Sequence, residues 1–269
     1  MLKRSLRKVL PVLTLTTLPL LCAAQGGPPF ITDDPGTPGD GNWEINVACI
    51  TERHSDERVF NAPILDMNYG LGGRLQLKYQ VPYLVVGTDG GPTRTGLGKS
   101  LAGVKWRFYE NEDKGLEIST YPQLEFNNPT SSVERHLVDN GARFFLPIEV
   151  TKKLGPVEIN PEAGYWFAER TGAAWATGVV IARQASKRLE LDGELYATAN
   201  TNGASHWTSF GGGGRYKIGG PMVLLFMAGR SFRSANSGQP SLFGYLGVQF
   251  LFSTRQKKGG ALLMQAAPR

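Results

Sequence analysis

The sequence predicts an all-β fold: a closed, antiparallel transmembrane β-barrel of about twelve strands. Three observations carry that prediction. Apolar residues recur at every second position in segments spread from Asn42 to Phe252. The connections between those segments alternate between tight and long. The chain is also rich in glycine, 34 of 269 residues, nearly twice the usual ~7%, which suits turns and closely packed strands better than helices.

Residues 1–24 read as a secretory signal. Lys3, Arg4, Arg7 and Lys8 precede an apolar stretch from Val9 to Leu21, and Cys22-Ala23-Ala24 supplies small residues before Gln25. Leu21 is too large for the position before a lipidated cysteine. The run is also interrupted by Pro11 and Pro19 and falls short of the roughly 20 apolar residues of a spanning helix. Cys22 leaves with the signal, so Cys49 stands alone and no intrachain disulfide is expected. Residues 25–41, with Pro28, Pro29, Pro35 and Pro38, are expected to be extended.

The barrel is expected over 42–252. Trp43, Ile45, Val47 and Cys49 alternate with Glu44, Asn46 and Ala48, and Leu65, Met67 and Tyr69 with Ile64, Asp66 and Asn68. In the third segment Leu75, Leu77, Tyr79 and Val81 oppose Arg74, Gln76, Lys78 and Gln80. In the fourth, Ala102, Val104, Trp106 and Phe108 oppose Gly103, Lys105 and Arg107. Leu116, Ile118 and Thr120 then oppose Glu117, Ser119 and Tyr121, with Gln123 and Glu125 continuing the polar face. Phe144, Leu146, Ile148 and Val150 oppose Arg143, Glu149 and Thr151. Val157, Ile159, Ala163 and Tyr165 oppose Glu158, Asn160 and Glu162, and Leu189, Leu191 and Leu195 oppose Glu190, Asp192 and Glu194. Segments near 174–183, 207–217 and 222–231 are strand-like with less distinct faces. The last, 242–252, places Leu242, Leu246, Val248, Phe250 and Phe252 on one face.

Connections after even-numbered strands are tight (70–73, 111–115, 152–155, 185–188, 218–220). Several after odd-numbered strands are long and polar (53–59, 87–98, 127–141, 233–240). Outer-membrane barrels show this asymmetry between periplasmic turns and external loops. About ten residues at ~3.3 Å, tilted by about 40°, span the ~25 Å apolar band. A secreted sandwich also alternates with period two. Against it, charges persist on one face of strand after strand while aromatics gather near the strand ends of the other, as interfacial girdles do.

The net charge of +6 is misleading. The signal carries four basic groups and no acidic one, and the tail 253–269, expected to be disordered, carries four more basic groups. The body is left slightly acidic, with no nucleic-acid footprint.

The closing strand, Tyr245-x-Gly247-x-x-Phe250-x-Phe252, resembles the signal by which the barrel-assembly machinery recognises its clients. Here Ser253 to Arg269 follows the final Phe. Four further stretches resemble the outer-membrane family labelled with the meta pathway of phenol degradation. They are Pro29-Phe30-Ile31-Thr32-Asp33-Asp34-Pro35, Gly41-Asn42-Trp43-Glu44-Ile45-Asn46, Asp66-x-Asn68-Tyr69-Gly70, and Gly96-Leu97-Gly98 with Gly103-Val104-Lys105-Trp106-Arg107-Phe108. They cover the first half of the mature chain. The resemblance implies an outer-membrane transporter in a Gram-negative envelope, passing small and possibly hydrophobic or aromatic compounds.

No catalytic, cofactor or metal site is expected. Gly98-Lys99-Ser100 lacks the glycine a phosphate loop needs at 93, where Thr93 stands, and Gly211–Gly214 lacks the third glycine of a dinucleotide fingerprint. His54, His136 and His206 fall in separate external loops. His136 with Glu134 and Asp139, and His206 with Ser205, are the only arrangements that suggest an enzyme at the outer rim. The informative constellation is the polar face. Arg74, Lys78, Lys105 and Arg107 would form a basic wall of the lumen. Glu117, Glu125, Glu158, Glu162, Glu190, Asp192 and Glu194 would form an acidic wall across from it, which would tune selectivity for a small solute. The opposing reading is that these groups pair on adjacent strands, Arg107 with Glu117 for example, and seal the barrel. An outer-membrane enzyme and a non-conducting structural barrel are the alternatives to a channel.

Overall fold

A computed structural model describes residues 27–170, 172–203, 206–232 and 239–254. The expected signal, Ser205 and most of the expected tail lie outside them. Fourteen strand segments occur among the described residues: β1 (Asn42–Arg53), β2 (Glu57–Leu71), β3 (Leu75–Thr88), β4 (Arg94–Leu97), β5 (Ser100–Asn111), β6 (Leu116–Thr120), β7 (Gln123–Phe126), β8 (Arg143–Leu154), β9 (Val157–Ala168), β10 (Ala174–Gln184), β11 (Leu189–Asn200), β12 (His206–Gly219), β13 (Met222–Ser231) and β14 (Leu242–Ser253).

These fourteen make twelve strands of one ring. β4 and β5 pair with successive stretches of β3, and β6 and β7 both lie between β5 and β8, so each couple is one strand with a break. The second break falls at Tyr121-Pro122. Proline has no N–H for the ladder, and its carbonyl instead accepts the Val104 N–H at 3.1 Å. β1 and β14 close the ring in antiparallel register from Asn42↔Ser253 to Arg53↔Leu242. Closure leaves no free sheet edge, which is what a β-structure needs in hydrocarbon.

All twelve expected strands are present, and the five tight turns lie at one end. Four of them use a glycine at positive φ: Gly72 (68°), Gly115 (54°), Gly155 (61°) and Gly220 (57°). A side chain there would meet the following carbonyl. At the other end two expected loops are shorter than the sequence suggested. The first is only 54–56, and much of 87–98 is strand, because β3 runs to Thr88 and β4 returns from Arg94. Polar residues in these rims complete the ladder beyond the apolar band, so polarity alone misplaced the boundaries.

The outer face is apolar. Val104, Leu146, Ile148, Ile181, Leu191 and Leu246 are exposed on it. Aromatics gather near its two ends: Trp43 with Tyr69 (4.8 Å between ring centres) and Trp106 with Phe108 (5.5 Å) by the turns, and Tyr165 with Trp175 (4.8 Å) and Phe144 with Phe167 (6.1 Å) by the loops. An apolar band between aromatic girdles is the surface of a barrel immersed in lipid.

Candidate transport lumen

With the apolar positions outward, most strands turn a polar face inward and bury it, while β10 and β13 turn apolar residues inward (Val180, Ala182, Val223 and Leu225) to pack with Phe30. Ten of the eleven residues expected to line the lumen project there. Lys105, Glu158, Glu162, Glu190, Asp192 and Glu194 are buried, and Lys78, Arg107, Glu117 and Glu125 are partly so. Arg74 is placed differently: it is exposed in the β2–β3 turn, because the turn takes one more residue than the alternation implied. Part of the constellation pairs along the wall. Arg107 bonds Glu117 at 2.9 Å, Lys153 reaches the other oxygen of Glu117 at 3.1 Å, Arg143 bonds Glu125 at 2.7 Å, and Lys78 faces Asp66 at 3.1 Å.

The basic and acidic walls do not face each other across open water. The segment 27–41 folds back inside the barrel between them. It does not run simply extended, since Gly27 N–H bonds the Thr32 carbonyl (2.8 Å) and Phe30 N–H the Gly27 carbonyl (2.9 Å). Its backbone faces the acids: Glu194 Oε1 accepts the N–H groups of Ile31 (3.0 Å) and Thr32 (2.6 Å), and Glu162 Oε2 that of Asp33 (3.3 Å). Its aspartates face the base: Lys105 Nζ donates to Asp33 Oδ1 at 2.8 Å and to the Asp34 carbonyl, with Glu149 Oε2 at 3.6 Å. Arg215 donates to the Pro28 carbonyl at 2.9 Å. A charged wall in a confined lumen needs counter-groups, and the segment supplies donors to one side and carboxylates to the other. Burial pushes Asp34 above the usual aspartate range. For Asp33 burial acts the same way, but Lys105 and Lys78 outweigh it and hold the group below that range. At its root the segment lies on the β2–β3 turn, with Gly41 N–H bonding the Gly70 carbonyl (2.9 Å). A Cβ on Gly70 would stand 1.8 Å from the Gly39 carbonyl oxygen, so only glycine allows this approach.

The loop-end half of the lumen is different in character. Phe145 stacks on Trp166 (4.5 Å), and Tyr196, Trp207 and Phe243 meet edge to face (5.7 and 5.9 Å). Trp207 Nε1 donates to Ser231 at 2.6 Å. These rings, with Met227 and Tyr245, wall a cavity of about 340 Å³ whose floor is Pro28, Pro29, Phe30 and Ile31 of the inserted segment. The β1–β7 side of the same cavity adds polar groups (Glu52, Asp66, Lys78, Gln80, Gln123 and Glu125) beside Ile50, Ile64 and Leu101. Arg143 lies over the Trp166 ring (4.9 Å). Above β3 and β4 the loop 127–142 turns onto the inner wall, where Leu137 packs on Leu84 and Val86.

The aromatic half was missed by the sequence reading, although the signal was there. Carrying the inward alternation one or two positions further goes from Glu194 to Tyr196, from Glu162 past Gly164 to Trp166, and from Glu149 past Pro147 to Phe145. Gly96-Leu97-Gly98 proves to be a seat for loop 127–142: Ser132 Oγ bonds the Leu97 carbonyl and Asn128 Nδ2 that of Gly98, both at 2.6 Å. Lys99 donates to the Gly141 carbonyl (3.1 Å). The glycines of β12 face inward at 211 and 213, opposite Glu194 and Asp192, and a Cβ at Gly213 would stand 2.1 Å from the Phe226 carbonyl oxygen of β13. His54 meets Glu52 at 3.2 Å, and His136 offers its carbonyl to Arg94 at 2.6 Å. His206 is exposed.

A closed twelve-stranded barrel with an apolar outside and a polar, partly filled inside is an outer-membrane β-barrel. Solved structures agree on the fold. The chain is similar to the COG4313 outer membrane channel from Pseudomonas putida F1 (TM-score 0.69, 13% identity, covering 81% of this chain and 98% of that one). It is also similar to the KdgM porin (TM-score 0.56, 10% identity, 77% and 98%) and the NanC porin (0.56, 9%, 77% and 98%). No family model and no curated protein matches the chain.

Proposed function

We propose that this barrel is an outer-membrane channel for small hydrophobic or aromatic compounds rather than an enzyme, and that its N-terminal segment is the plug they must pass. The observation that carries the reading is the cavity of about 340 Å³, walled by Phe145, Trp166, Tyr196, Trp207 and Phe243 and floored by the plug. That volume suits a small organic molecule. Stacked and edge-on rings favour a flat aromatic guest, and the polar groups of the β1–β7 side can meet a hydroxyl or carboxyl group. The resemblance to the family labelled with the meta pathway of phenol degradation points the same way, and the COG4313 protein is itself described as a channel. In this reading the closing strand 245–252 is the segment handed to the barrel-assembly machinery.

The test is uptake into proteoliposomes of a phenol-class compound and of a sugar of similar size. The aromatic compound should enter faster, and Trp166→Ala with Trp207→Ala should remove most of the difference while the barrel still shifts on a gel after boiling. Equal rates for both compounds, or no effect of the double variant, would refute the aromatic reading. Absence of any uptake would favour a structural barrel.

A further inference from the structure

A second, smaller void lies beneath the cavity, beside the plug. It holds about 20 Å³ and is bounded by Gly36 and Thr37 of the plug, Glu44 of β1, Asn68 of β2, and Gln76 of β3. It reaches the turn end of the barrel, where Gly36, Thr37 and Glu44 are partly exposed. Three residues belong to both voids: Pro28 and Asp33 from the plug, and Lys78 from the wall. Of the three only Lys78 is fixed in the ladder, by pairing with Asn68 of β2 and Gly103 of β5. Its ammonium is held by Asp66 at 3.1 Å and lies 6.0 Å from the centre of the Tyr121 ring.

We propose that small inorganic ions pass the seated plug along this one flank, and that the Lys78–Asp66 pair at the neck between the two voids balances which sign of ion passes. The inference rests on the channel reading above. The lower void has room for about one water, so organic solutes pass only when the plug moves, while ions and water pass it seated. At the neck an ion meets Lys78, Asp66 and Asp33. Asp34, Glu44 and Lys105 bound the lower void. The paired Lys78 and Asp66 leave little net sign between them, so removing either one uncovers the other.

The opposite signs of those two changes give the test. A unit charge about 5 Å from a passing ion, in a water-like medium, changes that ion's permeability about fourfold, upward for one sign and downward for the other. Full-length protein is placed in planar bilayers under a potassium chloride gradient, and reversal potentials are read. Lys78→Gln should raise the potassium-to-chloride permeability ratio about sixteenfold, because cation and anion shift in opposite senses, and Asp66→Asn should lower it by a similar factor. Lys78→Arg, which keeps the charge, and Lys187→Gln, in the exposed 185–188 turn, should match the wild type. Unchanged ratios in both neck variants, with channels present and the barrels still heat-modifiable, would overturn the assignment and leave the channel reading standing. A large jump in conductance in Lys78→Gln would show that Lys78 retains the plug instead of filtering ions, and would also overturn it. A wild type silent at every voltage would remove the channel reading itself.

Discussion

Lys105 is the residue on which the plug most depends, and Lys105→Met is the sharpest way to show it. Its side chain is 2% exposed, with Asp33 Oδ1 at 2.8 Å, Glu149 Oε2 at 3.6 Å and Asp34 Oδ1 at 4.0 Å. The Tyr121 ring lies beneath it at 4.7 Å. Methionine keeps most of the volume and removes the charge, leaving three carboxylates without their shared cation. Breaking a buried pair in this way costs about 3–5 kcal/mol, or roughly a 150- to 5,000-fold shift from plug-in towards plug-out. Much of that strain is relieved if the plug leaves, because Asp33 and Asp34 leave with it. The variant should therefore show frequent large-conductance openings in planar bilayers. Asp33→Asn added to Lys105→Met should restore part of the closed state, with a coupling of about 2 kcal/mol between the two sites. A Lys105→Met barrel that is folded and heat-modifiable yet no more open than the wild type would refute the argument, as would strictly additive effects of the two substitutions.

Other perturbations test the same plug from other sides. Glu194→Gln weakens two charge-assisted bonds to plug amides by about 1–3 kcal/mol in total, and hydrogen exchange at Ile31 and Thr32 should accelerate accordingly. Gly178→Val puts a Cβ 2.0 Å from Thr32 Oγ1 and 3.1 Å from Thr32 Cβ, so it should open the channel by steric means with no charge altered. Gly70→Ala, meeting the Gly39 carbonyl, should expose the root of the plug to protease at residues 36–41 while leaving the ring intact. Acid acts through Asp33, whose carboxyl sits below the ordinary value of 3.8 because Lys105 and Lys78 outweigh its burial. A depressed acid contributes above its unfolded value and loses that contribution as pH falls through its folded one. The Asp33 share of plug retention should thus hold at pH 4 and fail only below 3.8. Open probability in Asp33→Asn should lack that component of the acid response.

The ring was legible in the sequence because its rule is local. Each strand must put alternate residues in lipid, and Leu75-x-Leu77-x-Tyr79-x-Val81 states this without reference to any other strand. The pair Arg107–Glu117 was legible for the same reason, since the two residues stand on neighbouring strands joined by a tight turn. The plug was not. Nothing local distinguishes a proline-rich segment lying in the periplasm from one folded into the lumen. The deciding contacts join Thr32 to Glu194 and Asp33 to Lys105, separations of 162 and 72 residues. The aromatic half was lost to a different cause. Inward positions were recognised by polarity, and that criterion fails where the inward face turns apolar, at Phe145, Trp166, Tyr196 and Phe243.

The motif-like stretches of the first half of the sequence have a structural logic of their own. Pro29–Pro35 is the part of the plug that reaches the middle of the lumen. Gly41–Asn46 is its root, and Asp66–Gly70 supplies both the partner of Lys78 and the glycine on which Gly39 rests. Gly103–Phe108 carries Lys105, and Gly96–Gly98 seats the loop that turns into the mouth. The second half of the chain contributes acids and aromatics whose demands are looser. A carboxylate that accepts backbone N–H groups does not depend on which side chains those amides carry. A ring can still be built from many alternating sequences, but Lys105 must meet two successive aspartates, and Gly70 must admit a backbone at contact distance. Contacts that demand one particular residue are concentrated where the plug is held, and interchangeable ones where the barrel only has to close, so this barrel is organised around its plug more tightly than around its pore.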